Sequence, residues 1–172
     1  MKDDQIHVVI DVETTGLSVG YGDRVIEVGA VAVDGGEILA EFGSLIRVEK
    51  SIPRRVSRIH GITNDILAGQ PLPNEVYPAL RDFVGDSVLV AHNARFDLAF
   101  LRQEFGRLGY RFDNRSVCTL EIARRRLPLL SDHRLETVYR HLFGALPEGM
   151  RRHRALDDAR LTARVWCELR GQ

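Results

Sequence analysis

Four carboxylates and one histidine have the types and spacing to do chemistry together. Asp11 and Glu13 follow the apolar run Ile6-His7-Val8-Val9-Ile10 and precede the breaker Thr14-Thr15-Gly16. In a strand, residues two apart face the same side, so both carboxylates project together. They stand at the strand's C-terminal end, the edge where α/β sheets gather ligands. Two like charges so close call for a cation or a shared proton. A second segment, Ala91-His92-Asn93-Ala94-Arg95-Phe96-Asp97, follows the apolar run Val88-Leu89-Val90-Ala91. Asn93 and Asp97 are four apart, on one side of the helix that starts there. A purely structural reading also fits this segment: Asn93 caps the helix and Asp97 complements its positive end. The third segment is His153-Arg154-Ala155-Leu156-Asp157-Asp158-Ala159. Asp158 shares a helical face with Leu161, Thr162 and Val165, so it points inward, where a carboxylate needs a partner or a metal. Asp157 reads as a charge complementing the helix end. His153 lies just before that helix, on a loop within reach of the site.

Taken together, four acids from three segments form an oxygen-only ligand set. Such ligands select hard cations, Mg2+ or Mn2+, over zinc. Two ions about 3.5–4 Å apart suit in-line displacement at phosphorus. A histidine that titrates near neutrality can take the proton of the attacking water. A two-carboxylate glycoside hydrolase would also use paired acids, but it explains neither His153 nor the third acidic segment.

The elements that must position these groups are legible from periodicity. Residues 6–10 read as a short buried strand that ends in Asp11-Val12-Glu13. Residues 24–33 and 38–47 read as two strands joined by a turn at Asp34-Gly35-Gly36, an antiparallel hairpin. Residues 74–83 read as a helix and residues 88–91 as a fourth, fully buried strand. Residues 94–108 repeat apolar positions helically and stop at Gly109. Residues 116–119 form a candidate fifth strand leading into a helix at 120–126, and 135–143 and 156–169 read as further helices. Residues 127–133 are the expected mobile loop. A hairpin followed by alternating strand and helix implies a mixed α/β sheet.

The 172 residues suit one domain, 1–172, with a core that needs no disulfide or structural metal. The two cysteines, Cys118 and Cys167, are far apart, which excludes a disulfide framework and a cysteine-built zinc site. The charged start, Met1-Lys2-Asp3-Asp4-Gln5, does not read as a signal peptide, and no apolar run can cross a bilayer. The expectation is a soluble, cytoplasmic protein without a membrane partner. The 24 basic and 24 acidic residues cancel, which argues mildly against a nucleic-acid binder. The arginines are nevertheless clustered, at Arg54-Arg55, at Arg124-Arg125-Arg126 and at Arg151-Arg152 with Arg154. The last run carries most weight because it adjoins His153.

The three acidic segments resemble the DEDDh exonucleases, the family of the proofreading (epsilon) subunit of bacterial DNA polymerase III. Val9-Ile10-Asp11-Val12-Glu13-Thr14-Thr15-Gly16-Leu17 looks like the first family motif. Val90-Ala91-His92-Asn93-Ala94-Arg95-Phe96-Asp97 looks like the second, and the His153–Ala159 segment quoted above like the third. Arg58-Ile59-His60-Gly61-Ile62-Thr63 resembles a family element between the first two. The resemblance spans residues 6 to about 168. It implies a ribonuclease-H-like α/β fold, a central five-stranded mixed sheet flanked by helices, and two divalent cations. By the same resemblance, Asp11, Glu13 and Asp158 hold the first cation, while Asp11 and Asp97 serve the second. His153 is the general base, and the family's spacing from histidine to acid selects Asp158 over Asp157. Thr14 offers its backbone N–H, and Glu13 its carboxylate, to a terminal 3′-hydroxyl. His60 and Ile62 line the pocket of the last nucleotide, Leu17 and Phe96 pack against it, and Asn93 contacts substrate or orders the helix. The implied substrate is the 3′ end of single-stranded DNA, with RNA as the alternative within the family. The candidate protein partner is a DNA polymerase catalytic subunit.

Overall fold

A computed structural model describes residues 6–171; the charged start, residues 1–5, lies outside it. Five strands form one sheet in the order β3-β2-β1-β4-β5. They are β1 (His7–Thr14), β2 (Val25–Asp34), β3 (Glu37–Leu45), β4 (Val88–Ala91) and β5 (Ser116–Cys118). The first three are mutually antiparallel, as the hairpin pattern predicts, and β4 and β5 run parallel to β1. The helices are α1 (Arg54–His60), α2 (Asn64–Leu67), α3 (Pro73–Val84) and α4 (Ala94–Arg107), then α5 (Thr119–Arg126), α6 (Leu135–Phe143) and α7 (Ala155–Gly171).

The central strand β1 is apolar on both faces because helices cover both. Val8, Ile10 and Val12 pack with α3 and α4, against Leu80, Leu98 and Leu101. Val9 faces the other way, onto Ala159, Ala163 and Trp166 of α7. A strand covered twice reads as a continuous apolar run rather than an alternating one. Asp11 and Glu13 continue the Val9 register, so they look toward α7.

Two glycines seat the start of α7. A Cβ on Gly29 would lie 2.3 Å from the Leu156 nitrogen, and one on Gly43 would lie 3.2 Å from the Leu156 side chain. Gly29 pairs directly with Asp11 across the sheet. Helix and strand backbones therefore meet closely beside the first acid, which no larger residue would permit. On the opposite face, Glu104 of α4 takes a bidentate pair from Arg24 at 2.6 and 2.8 Å, together with the Val25 N–H.

Several boundaries differ from those read in the sequence. β1 continues through both acids to Thr14 because β2 still pairs with it at Glu13↔Glu27, after the register with β4 has ended at Val9↔Val90. α1 and α2 had no counterpart in the sequence reading. α1 is seven residues long with Arg54, Arg55 and Arg58 exposed, and α2 is a single turn capped by Thr63 Oγ1. Neither is long enough to show a helical repeat. Residues 127–133 do connect α5 to α6, but His133 Nε2 donates to the Leu127 carbonyl at 2.9 Å and the His133 carbonyl accepts from His92. The loop expected to be mobile is thus tied at its end.

Candidate active site

The C-terminal end of β1, the start of α4 and the start of α7 enclose one cavity of about 700 Å3. Asp11, Glu13, Asp97, His153 and Asp158 all line it, as do Thr14, Leu17, His60, Asn93 and Phe96. Ile62 does not. Its side chain is 2% exposed and packs with Ile26, Ile52 and Leu67, so it backs the wall from inside instead of meeting a ligand. The physical reason is local: Gly61 adopts a left-handed φ of 74° and turns the chain inward after His60.

Each acid is held by backbone geometry. Asp97 is buried, and its Oδ1 accepts from the Val12 N–H at 3.1 Å. That N–H lies beyond the end of β4, so the carboxylate satisfies a donor the sheet has left over. Asn93 occupies the position before α4 with a left-handed φ of 81° and makes no side-chain cap, so its side chain remains available to the cavity. Asp158 accepts a hydrogen bond from the His153 backbone, and Asp157 accepts one from Arg151 N–H at 3.1 Å. The two neighbouring acids thereby fold the 151–153 loop back over the helix start, with His153 at a φ of 54°. One ligand atom each from Glu13, His153 and Asp158 lie within 4.8 Å of one another, so the histidine belongs to the site.

The electrostatics are those of an anion cluster short of cations. Burial, then the charges of Asp97, Asp158 and Glu13, hold the Asp11 carboxyl well above its ordinary range. Glu13 is pushed up to about 8 by burial, then by Asp158 and Glu27. Burial raises Asp97 to about 7, and burial with Glu136 raises Asp158 to about 7. Carboxyls that hold protons to neutral pH exchange them readily for a divalent cation. This fits the donor set, oxygen-rich with one imidazole, so the residues present can hold a divalent metal ion. Among the described residues, Glu13, His153 and Asp158 are the group whose ligand atoms lie close enough together to hold one.

Three contributors escaped the sequence reading. Glu27 sits opposite Glu13 on β2 and is 6% exposed; it takes a bidentate pair from Arg154 at 2.7–3.1 Å and the Ala155 N–H at 3.1 Å, capping α7. An acid inside the apolar run Val25-Ile26-Glu27-Val28 was the available signal. His92 lines the cavity, with its ring between Thr119 Oγ1 at 2.9 Å and the His133 carbonyl at 2.8 Å. Because a carbonyl only accepts, the His92 proton lies on Nε2. His60 accepts the Ile62 N–H on Nδ1 at 3.0 Å, which places its proton on Nε2, buried behind the cavity wall toward the Thr14 backbone. Burial also lowers the His60 pKa, so the ring is a neutral donor. The third contributor is the rim formed by Tyr21 and Arg55.

The arginine run expected to carry a nucleic-acid contact is spent internally. Arg154 pairs with Glu27, Arg152 with Glu136 and Arg151 with Asp157.

Fold and site define a nuclease of the DEDDh type, and the comparisons agree. Residues 8–166 match the RNase_T family, described as exonuclease, and the chain belongs to that family. It is 39% identical over 167 residues to the DNA polymerase III subunit epsilon of Aquifex aeolicus, covering 96% of this chain and 81% of that protein. It is 39% identical over 162 residues to the PolC-type DNA polymerase III of Clostridium perfringens, covering 94% of this chain but 11% of that much longer protein. Among solved structures, exonuclease X in complex with 5′ overhanging duplex DNA superposes with a TM-score of 0.78 at 28% identity, covering 96% of this chain and 91% of that one. The ribonuclease-H-like fold expected from the motifs is the fold found. No helix among the described residues is long and apolar enough to cross a membrane.

Proposed function

We propose that this chain is a metal-dependent 3′–5′ exonuclease that releases nucleoside 5′-monophosphates from the 3′ end of single-stranded DNA. The observation that carries the proposal is the convergence of Asp11, Glu13, Asp97 and Asp158 with His153 on one cavity, with Glu13, Asp97 and Asp158 raised to about 7–8 by burial and crowding. When bound, two Mg2+ or Mn2+ ions would neutralise the scissile phosphate and lower the pKa of the attacking water. His153, beside Glu13 and Asp158, takes the water's proton. Glu13 and the Thr14 N–H receive the terminal 3′-hydroxyl, and His60 lines the same pocket, its ring set toward the Thr14 backbone. Leu17 and Phe96 supply apolar surface for the last base, and Asn93 contacts the strand.

DNA is favoured over RNA because the relatives with 39% identity are DNA polymerase III proteins. The same relatives support proofreading beside a polymerase catalytic subunit, in the cytoplasm. The test uses 5′-labelled single-stranded DNA and RNA in parallel, with Mg2+, Mn2+ or EDTA. The expected result is a metal-dependent ladder shortening from the 3′ end, faster on DNA, and blocked by a 3′-phosphate that crowds Glu13. Activity in rigorously chelated protein, or immediate release of the labelled 5′ nucleotide, would sink the proposal. Faster degradation of RNA would transfer the enzyme to the RNA-directed branch of the family.

A further inference from the structure

Beyond the acids, the cavity has a rim whose residues play no part in the chemistry described above. On one side, the turn at Val19–Tyr21 is pinned from several directions. Asp23 accepts from Thr15 Oγ1 at 3.2 Å and from Ser18 N–H at 3.0 Å, and pairs with Lys50 at 2.8 Å. Lys50 also donates to the Tyr21 carbonyl at 2.8 Å, and Val19 packs onto the core. The backbone is anchored, yet the Tyr21 side chain is 86% exposed and makes no hydrogen bond or ring contact among the described residues. On the other side, α1 presents Ile59, 58% exposed, and Arg55 to the same cavity. Arg54, Arg55 and Arg58 have no ion-pair partner among the described residues, whereas the arginines at 151, 152 and 154 are all paired.

An aromatic ring held out on an immobilised turn loses little freedom when it meets a flat ligand. A guanidinium without an ion-pair partner across the same cavity suits a phosphate. Single-stranded nucleic acids are bound by this combination, stacking rings with cations that track the backbone. Size agrees. A pocket for one small ligand begins at roughly 300 Å3, and this cavity, at about 700 Å3, leaves room for a second nucleotide.

We infer that the rim is a second nucleotide subsite, in which Tyr21 stacks on the base preceding the 3′-terminal one and Arg55, with Arg54 and Arg58 behind it, contacts the strand's phosphates. The subsite rests on the exonuclease reading and extends it. It makes the enzyme select a strand over a lone nucleotide ester. It also assigns strand binding to α1 instead of to the run at 151–154.

The experiment compares wild type, Tyr21→Ala and Arg55→Gln on two substrates, the p-nitrophenyl ester of thymidine 5′-monophosphate and a series of oligothymidylates. The ester fills only the terminal pocket. Tyr21→Ala should raise KM for oligomers by about 5- to 100-fold, leave their kcat within about threefold, and leave ester hydrolysis close to wild type. Arg55→Gln should lower the slope of log affinity against log salt by about 0.7, the value for one phosphate on a single strand. Anisotropy of a labelled oligothymidylate in EDTA measures the same losses without turnover. Equal oligomer affinity in all three proteins overturns the subsite, and so does an equal loss on ester and oligomer for Tyr21→Ala. If wild type binds the oligomer through Tyr21 and Arg55 but hydrolyses neither substrate, the subsite stands and the exonuclease reading fails.

Discussion

Replacing Glu13 with Gln removes one charge from the acid cluster while keeping its shape, and burial together with crowding fixes what this does to stability. The folded protein holds the Glu13 proton up to about pH 8, whereas the unfolded chain releases it near 4.5. Between those values the native state binds more protons than the unfolded one, so metal-free stability falls as pH climbs through that window. At about 1.36 kcal/mol per pKa unit, the penalty above pH 8 is at most roughly 4–5 kcal/mol. Water entry and relaxation of the cluster reduce it, and about 1–3 kcal/mol is a realistic net gain for Glu13→Gln. For a chain of this size that corresponds to a Tm rise of about 3–10 °C. The measurement is thermal unfolding in EDTA at pH 8.5 and at pH 4.5, for both proteins. At pH 4.5 the gain should shrink to less than about 0.5 kcal/mol, because Glu13 is then protonated in the fold and half protonated outside it. Saturating Mg2+ or Mn2+ should restore wild type by about 2.7 kcal/mol at a hundred times Kd, and should restore the variant by less. An unchanged or lower Tm for Glu13→Gln at pH 8.5 in EDTA, or a gain independent of pH, would refute burial and mutual repulsion as the origin of the raised Glu13 carboxyl.

Asp158→Ala should cut turnover by several orders of magnitude, since metal binding and water activation are lost together. Asp157→Ala should cost about 1–3 kcal/mol of stability, because it leaves the Arg151 N–H and Arg160 without their carboxylate, while most activity remains; a dead Asp157→Ala beside an active Asp158→Ala would show the register of the third motif to be off by one. His153→Ala should slow the chemical step by about 10²–10⁴-fold while calorimetric metal affinity stays near wild type. A large fall in affinity would make His153 a ligand, as its closeness to Glu13 and Asp158 permits. Gly29→Ala drives a methyl into the α7 backbone, and should cost at least about 1–3 kcal/mol and lower activity by shifting Asp158 and His153. A normal Tm with full activity would mean that α7 can move without consequence.

The chemistry was legible in the sequence because it is local. Asp11 and Glu13 share a face by the period of a strand, and Asp158 turns inward by the period of a helix. Residue types and spacing nominated the acids and a hard divalent cation, and the family resemblance supplied the register of the third motif. What only the tertiary structure decided involves partners far apart in the chain. Asp97 satisfies Val12 N–H across 85 residues, and Glu27 caps α7 across 128 residues and neutralises Arg154 across 127. No periodicity announces such contacts, because they depend on which backbone groups the finished sheet leaves unpaired. The arginine runs show the same limit. The run beside His153 looked like the nucleic-acid contact, yet folding brings Glu27 and Glu136 to it, while Arg54, Arg55 and Arg58 meet no acid among the described residues. Ile62, beside a lining histidine in sequence, turns into the core because Gly61 reverses the chain. Charge along a chain is local information, but whether a charge is left for a ligand depends on what the fold packs against it.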